Sequence, residues 1–101
     1  MSRVELSKHS QSIPEFMNVV TSLRKTRAHR EYVASYRQLI ASDYSFEAQE
    51  LMSAASAELR AVVDQKSPVT NFYDVAIIAR ATVTGEPITV THTDGSRLQV
   101  A

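Results

Sequence analysis

Three histidines are the only soft metal ligands in this chain of 101 residues, because it contains no cysteine. His9, His29 and His92 fall in three different predicted segments, and no two of them have the four-residue spacing of a helical zinc motif. We expect each of them to be a surface histidine. The two glycines, Gly85 and Gly95, cannot form the G-x-S-x-G turn that exposes a nucleophilic serine, nor a glycine-rich phosphate loop. The sequence therefore predicts no metal site, no cofactor and no serine nucleophile.

Paired carboxylates are the remaining candidates for catalysis. Glu47 and Glu50 are three residues apart on a predicted helix, which places them on the same side of it. That side points away from the predicted apolar stripe of the helix, so we expect solvated carboxylates rather than an acid and base pair. An enzyme is not expected.

Arg27, Arg30 and Arg37 form the one feature that indicates a charged ligand. On a helix their spacing places them on one side, with small residues between them. Guanidinium groups bind phosphate oxygens and carboxylates equally well, so the pattern indicates an anionic partner. Tyr44, at the junction between two predicted helices, is expected either to serve as an aromatic anchor for the same partner or to cover the core.

The charge distribution favours a protein partner over a nucleic acid. Residues 1–37 have a net charge of plus four and residues 38–101 a net charge of minus four, so the total is zero. A pI near 6.8 is low for a nucleic-acid-binding domain. We expect a small non-enzymatic interaction module, an adaptor or inhibitor, that binds an acidic surface of another protein. Weak or sequence-nonspecific nucleic-acid binding by the basic first third is the alternative, and a homodimer is left open.

Composition indicates one cytoplasmic domain. The longest apolar run, Val75 to Ala79, is too short to span a bilayer, and the first residues lack the apolar segment of a secretory signal. We expect residues 1–11 to form a polar tail or a short edge strand and residues 12–101 to form a single α+β domain. This size, without catalytic features, would suit a regulatory protein of a phage or mobile element.

Three amphipathic helices are predicted in the first two thirds of the chain. Ser12 is expected to cap the first, whose first turn contains Pro14 and Glu15. The second is predicted over about 26–42. The third begins after its cap residue Ser45 and continues to about residue 65, with a continuous apolar stripe.

The C-terminal third contains a β-hairpin and one ambiguous segment. A three-residue loop with Gly95 in the left-handed conformation pairs Val90 with Leu98 and Ile88 with Val100, which keeps the apolar side chains on one face. Residues upstream of Gly85 fit a third strand by the same alternation. They also fit a fourth helix over residues 71–83.

One resemblance favours the helix. The segment from Gly85 to His92, Gly-Glu-Pro-Ile-Thr-Val-Thr-His, preceded by Ala79-Arg80-Ala81, is similar to a segment of Phd-type antitoxins in which a helix ends and a strand follows. The similarity covers about twenty residues and implies a helix before Gly85. We infer no function from it.

The alternation nevertheless leads us to prefer three amphipathic helices packed on a three-stranded antiparallel C-terminal β-meander; the alternative is four helices plus a C-terminal hairpin. The predicted core comprises Phe16, Leu23, Leu39, Leu51, Leu59, Val62, Ile77, Ile88, Val90 and Leu98.

Overall fold

The computed structural model describes residues 2–6 and 11–100, which form four helices and a three-stranded sheet. The elements in chain order are β1 (Ser2–Leu6), α1 (Ile13–Arg24), α2 (Arg27–Ala41), α3 (Phe46–Lys66), α4 (Phe72–Thr84), β2 (Ile88–His92) and β3 (Arg97–Val100). The fold class is α+β, and the number of helices is that of the alternative prediction. No helix within the described residues has both the length and the apolar character needed to cross a membrane.

The sheet is mixed, so the predicted antiparallel meander is wrong. Its order is β1-β2-β3, with β1 parallel to β2 and β3 antiparallel to β2. The third strand therefore comes from the beginning of the chain, where Val4 aligns with Val90, and not from the segment before Gly85. Four helices separate β1 from β2, which is the long connection that a parallel pair requires.

The segment before Gly85 is α4, as the alternative prediction and the resemblance to Phd-type antitoxins implied. The Asn71 side chain caps it by accepting a hydrogen bond from the Tyr73 amide at 2.7 Å. Gly85 ends the helix in the left-handed conformation with φ of 74°, which is the usual glycine terminus. Val75, Ala76, Ile78, Ala79 and Ala81 are buried, so the apolar run packs in the core as a helix.

The hairpin has the predicted register. Ile88 aligns with Val100 and Val90 with Leu98. The His92 amide donates to the Ser96 carbonyl at 3.0 Å, which closes a three-residue loop, and Gly95 within that loop has φ of 93°. Loop geometry and the alternation of side chains together determined this register.

The first and third helices begin at their predicted caps, and the second begins within one residue of its predicted start, although no cap was predicted for it. Ser12 and Glu15 form a complete capping box at the start of α1. Thr26 caps α2 and Ser45 caps α3, each accepting a hydrogen bond from an amide in the first turn. These local signals were sufficient to place the helix starts.

The core lies between the four helices and one face of β1 and β2. Eight of the predicted core residues are buried or packed against the buried cluster. Leu51 and Leu98 are not, being 49% and 41% exposed. The buried side of α3 is instead formed by Ala48, Ala55, Leu59 and Val63, and Leu98 lies on the edge strand β3.

Candidate partner-binding surfaces

The first candidate site is a depression on one side of α2 that we call the arginine groove. It has a volume of about 370 Å³ and is lined by Arg24, His29, Arg30, Val33, Ala34, Arg37 and Thr82. Besides the three arginines and His29, the lining consists of the small side chains of Val33, Ala34 and Thr82. Within the described chain none of these arginines forms an ion pair with a carboxylate, whereas Arg3 and Arg27 do.

The turn between α1 and α2 brings Arg24 into this groove. The Thr26 hydroxyl donates to the Leu23 carbonyl at 2.6 Å and accepts from the His29 amide at 3.2 Å, so it joins the end of α1 to the first turn of α2. Arg30 donates from Nη1 to the Lys25 carbonyl at 3.0 Å. The turn therefore holds both arginines beside the beginning of α2.

His29 is buried in the groove, with 6% of its surface exposed, so the prediction of a surface histidine is wrong for this residue. Burial lowers the pKa of its imidazole, and the nearby positive charge of Arg24 lowers it further. The ring is therefore neutral near pH 7, and the positive charge of the groove comes from its arginines.

The four predicted site residues do not form one site. Arg30 and Arg37 line the arginine groove. Arg27 instead donates from Nε to Glu31 one turn along α2 at 2.8 Å, and this pair raises the pKa of the guanidinium and lowers that of the carboxyl. Tyr44 lines a separate cleft on another side of α2.

That second depression, which we call the tyrosine cleft, lies between α2, α3 and α4 and has a volume of about 670 Å³. All four tyrosines of the chain line it. The described residues that line it are Tyr32, Tyr36, Leu39, Tyr44, Met52, Ser56, Ala57, Arg60, Phe72, Tyr73 and Arg80.

Aromatic contacts determine the shape of the tyrosine cleft. Tyr32 and Phe72 meet edge to face with ring centroids 6.3 Å apart, and Phe72 and Tyr73 do so at 5.5 Å. The Arg60 guanidinium lies 5.6 Å from the Tyr73 centroid and 5.9 Å from that of Phe72. Arg80 contacts the buried Tyr32 hydroxyl at 3.4 Å. Both arginines are thus held against the aromatic wall.

Tyr44 reaches the tyrosine cleft from a strained turn. Asp43 and Tyr44 have φ of 53° and 63°, the left-handed region that large side chains rarely adopt. Tyr44 is 54% exposed, and the Asp43 and Tyr44 amides donate to the Ile40 and Leu39 carbonyls at 3.2 and 2.8 Å, which closes the end of α2 in this conformation. Left-handed residues of this kind are often found at functional sites.

The structure brings together no three described His, Asp or Glu residues that could hold a metal ion. His29 lies in the arginine groove. His92 lies 3.3 Å from Asp94 at the hairpin turn, and His9 lies outside the described residues. Glu47 and Glu50 are both exposed on α3, as expected for solvated carboxylates.

Sequence reasoning missed Arg24, Arg60, Tyr73 and Arg80. Arg24 belongs to the same basic stretch as Arg30, but its helix ends before α2 begins, so its place in the groove depends on the turn between them. The other three come from α3 and α4, whose packing against α2 no local pattern predicts. No known protein family matches this chain, and searches of curated proteins and of solved structures likewise gave no match.

Proposed function

We propose that this protein is a small non-enzymatic interaction module that binds an acidic surface patch of a partner protein through the arginine groove. The observation that carries the proposal is that Arg24, Arg30 and Arg37 line one groove without an ion pair to any described carboxylate. Three guanidinium groups in a chain of zero net charge are a localised positive site. The adaptor or inhibitor role follows from occupying the partner's surface.

The lining of the groove supports a compact protein patch as its ligand. Arginine forks bind carboxylates through two parallel hydrogen bonds, and the small side chains of Val33 and Ala34 let a partner side chain approach closely. A nucleic acid presents phosphates along its whole length and would need a longer basic track.

Charge reversal on α2 tests the proposal with an internal control. The probe is a fluorescent peptide of eight glutamates, and the variant is Arg30→Glu with Arg37→Glu. We expect its affinity for the peptide to fall at least tenfold, because two attractive charges become repulsive. Arg27→Glu makes the same kind of change on the same helix outside the groove, and we expect less than a threefold change. All these side chains are exposed, so thermal unfolding should remain similar in each variant.

The same variants are then used in pull-downs from cell extract, with and without nuclease and at two salt concentrations. A defined protein that is retained after nuclease and lost with Arg30→Glu/Arg37→Glu supports the proposal. Equal loss in Arg27→Glu would contradict the assignment to the groove. Recovery that disappears with nuclease, together with a steep fall of affinity with salt, would favour nucleic-acid binding instead.

A further inference from the structure

The tyrosine cleft is a second surface with the properties of a ligand site. The charged residues described in its lining are all positive. Among the described residues that line it, Arg60 and Arg80 are the charged ones, and none is a carboxylate. Arg60 lies over two aromatic rings without an ion pair in the described chain, so its N–H groups are free to bind a ligand. The cleft therefore complements a negative charge.

The rest of the lining is apolar and aromatic. Met52 is half-buried and Leu39 is buried where they line the cleft, and methionine adapts to ligands of different shape. The hydroxyls of Tyr36, Tyr44 and Tyr73 make no hydrogen bond within the described residues, so they can bind the backbone of a ligand. Tyrosine and arginine are the residues most enriched where binding energy concentrates at protein interfaces.

The cleft is short. Its lining on α2 extends from Tyr32 to Leu39, seven residues or about 10 Å along the helix axis. Its lining on α3 extends from Met52 to Arg60, or about 12 Å. An extended chain advances about 3.3 Å per residue, so three or four residues fill the cleft.

Two exposed carboxylates determine what kind of anion can bind. Glu50 and Asp64 lie seven residues before and after Ala57, which lines the cleft, so all three lie on the same side of α3. A nucleic-acid strand leaving the cleft along α3 would bring its phosphates to these carboxylates. A short peptide with a single carboxylate at Arg60 brings one negative charge near them instead of a row of phosphates, although Asp64 lies one helical turn from Arg60.

We propose that the tyrosine cleft binds a short segment of a partner protein in which a large apolar side chain lies next to a carboxylate. The apolar side chain enters between the tyrosine rings and the carboxylate pairs with Arg60. This site lies on a different side of α2 from the arginine groove. It requires neither that groove nor the function proposed for it.

Fluorescence tests this proposal directly, because the protein has four tyrosines, all in the cleft, and no tryptophan. The probe is acetyl-Glu-Trp-Leu-amide, with acetyl-Gln-Trp-Leu-amide and acetyl-Lys-Trp-Leu-amide as matched peptides. We expect saturable quenching of tyrosine emission by energy transfer to the tryptophan. The Glu peptide should bind at least fivefold more tightly than the Gln peptide, and the Lys peptide most weakly.

Substitutions in the protein test whether the Glu peptide binds in the tyrosine cleft. Tyr73→Ala and Arg60→Gln should each weaken binding of the Glu peptide at least fivefold, and Arg60→Gln should abolish the preference for Glu over Gln. Tyr44→Asn removes a ring while keeping a residue that tolerates the left-handed backbone, and it should weaken binding similarly. Phe46→Ala, two residues away and 73% exposed, is the control and should bind within twofold of the unchanged protein.

Three results would overturn the proposal: no saturable quenching, equal binding of the Glu and Gln peptides, or equal loss in Phe46→Ala and Tyr73→Ala. Saturable binding of a thymidine oligonucleotide with loss in Tyr73→Ala would assign the cleft to nucleic acid instead. Arg30→Glu/Arg37→Glu should bind the Glu peptide within twofold of the unchanged protein, which separates a failure of this proposal from a failure of the proposed function.

Discussion

His29 is the residue whose burial in the arginine groove links stability to pH. Its pKa in the folded protein lies below the ordinary value of 6.5, because of burial and then of Arg24. As the pH falls below about 6.5 the unfolded chain therefore takes up a proton at this residue before the folded chain does. The contribution of His29 to the free energy of unfolding is therefore fully present above about pH 6.5. It is lost as the pH falls toward the pKa of His29 in the folded protein.

We expect His29→Gln to flatten this dependence between about pH 7 and pH 5, since glutamine does not titrate in that range. Urea unfolding of both proteins at a series of pH values measures it. His92→Gln is the control, because this histidine lies at the hairpin turn and not in the groove. Parallel curves for the unchanged protein and His29→Gln would show that His29 does not contribute to the pH dependence.

The arginines show which contacts of a site can be predicted from residues that are near in sequence and which cannot. The pairing of Arg27 with Glu31 is an i,i+4 ion pair, which the sequence itself displays. It removes Arg27 from the predicted basic face and could have been predicted. The contribution of Arg24 could not, because it depends on how α1 and α2 are joined at Thr26.

Between elements, a buried chain of hydrogen bonds connects the segment before α1 with the turn between α3 and α4. Gln11 donates from Nε2 to the Thr70 hydroxyl at 2.5 Å, and that hydroxyl donates to the Ser67 hydroxyl at 2.7 Å. All three residues are buried. Thr70 is the link between the other two, so its hydroxyl is the atom to remove.

We expect Thr70→Val to lower the free energy of unfolding by about 1–3 kcal/mol. The substitution removes both hydrogen bonds, while the Gln11 amide and the Ser67 hydroxyl stay buried. Thr70→Ser keeps the hydroxyl and loses one methyl group, so it should cost less than about 1 kcal/mol. Urea denaturation of the two variants gives the comparison. Similar losses in both would mean that the methyl group, and not the hydrogen bonds, stabilises this junction.

The segment of α4 shows why element type was harder to predict than element boundaries. Asn71 and Gly85 mark its ends clearly in the sequence, and both act as caps in the structure. Between them the apolar run fits the alternation of a strand as well as the period of a helix. Tertiary contacts decide between helix and strand here. In the structure α4 packs against both α2 and β1, and most of its apolar residues are buried.

For the whole molecule, the order of the strands was the feature that sequence patterns could not supply. The hairpin register followed from local loop geometry, whereas β1 meets β2 across more than eighty residues of chain. The sequence indicated only that residues 1–11 could contain a short edge strand. Its partner and its parallel direction depend on how the four intervening helices pack against one another and against the sheet.

The parallel pairing makes the first residues part of the core, and this can be tested by comparing two leucines. Leu6 on β1 is 4% exposed, whereas Leu98 on β3 is 41% exposed. Leu6→Ala should cost about 2–5 kcal/mol, a large part of the stability of a small domain. Leu98→Ala should cost only about 1 kcal/mol, since much of that side chain stays in water when the protein folds. Urea denaturation measures both. An equal or larger loss in Leu98→Ala would favour a sheet centred on the hairpin and would contradict the placement of β1 beside β2.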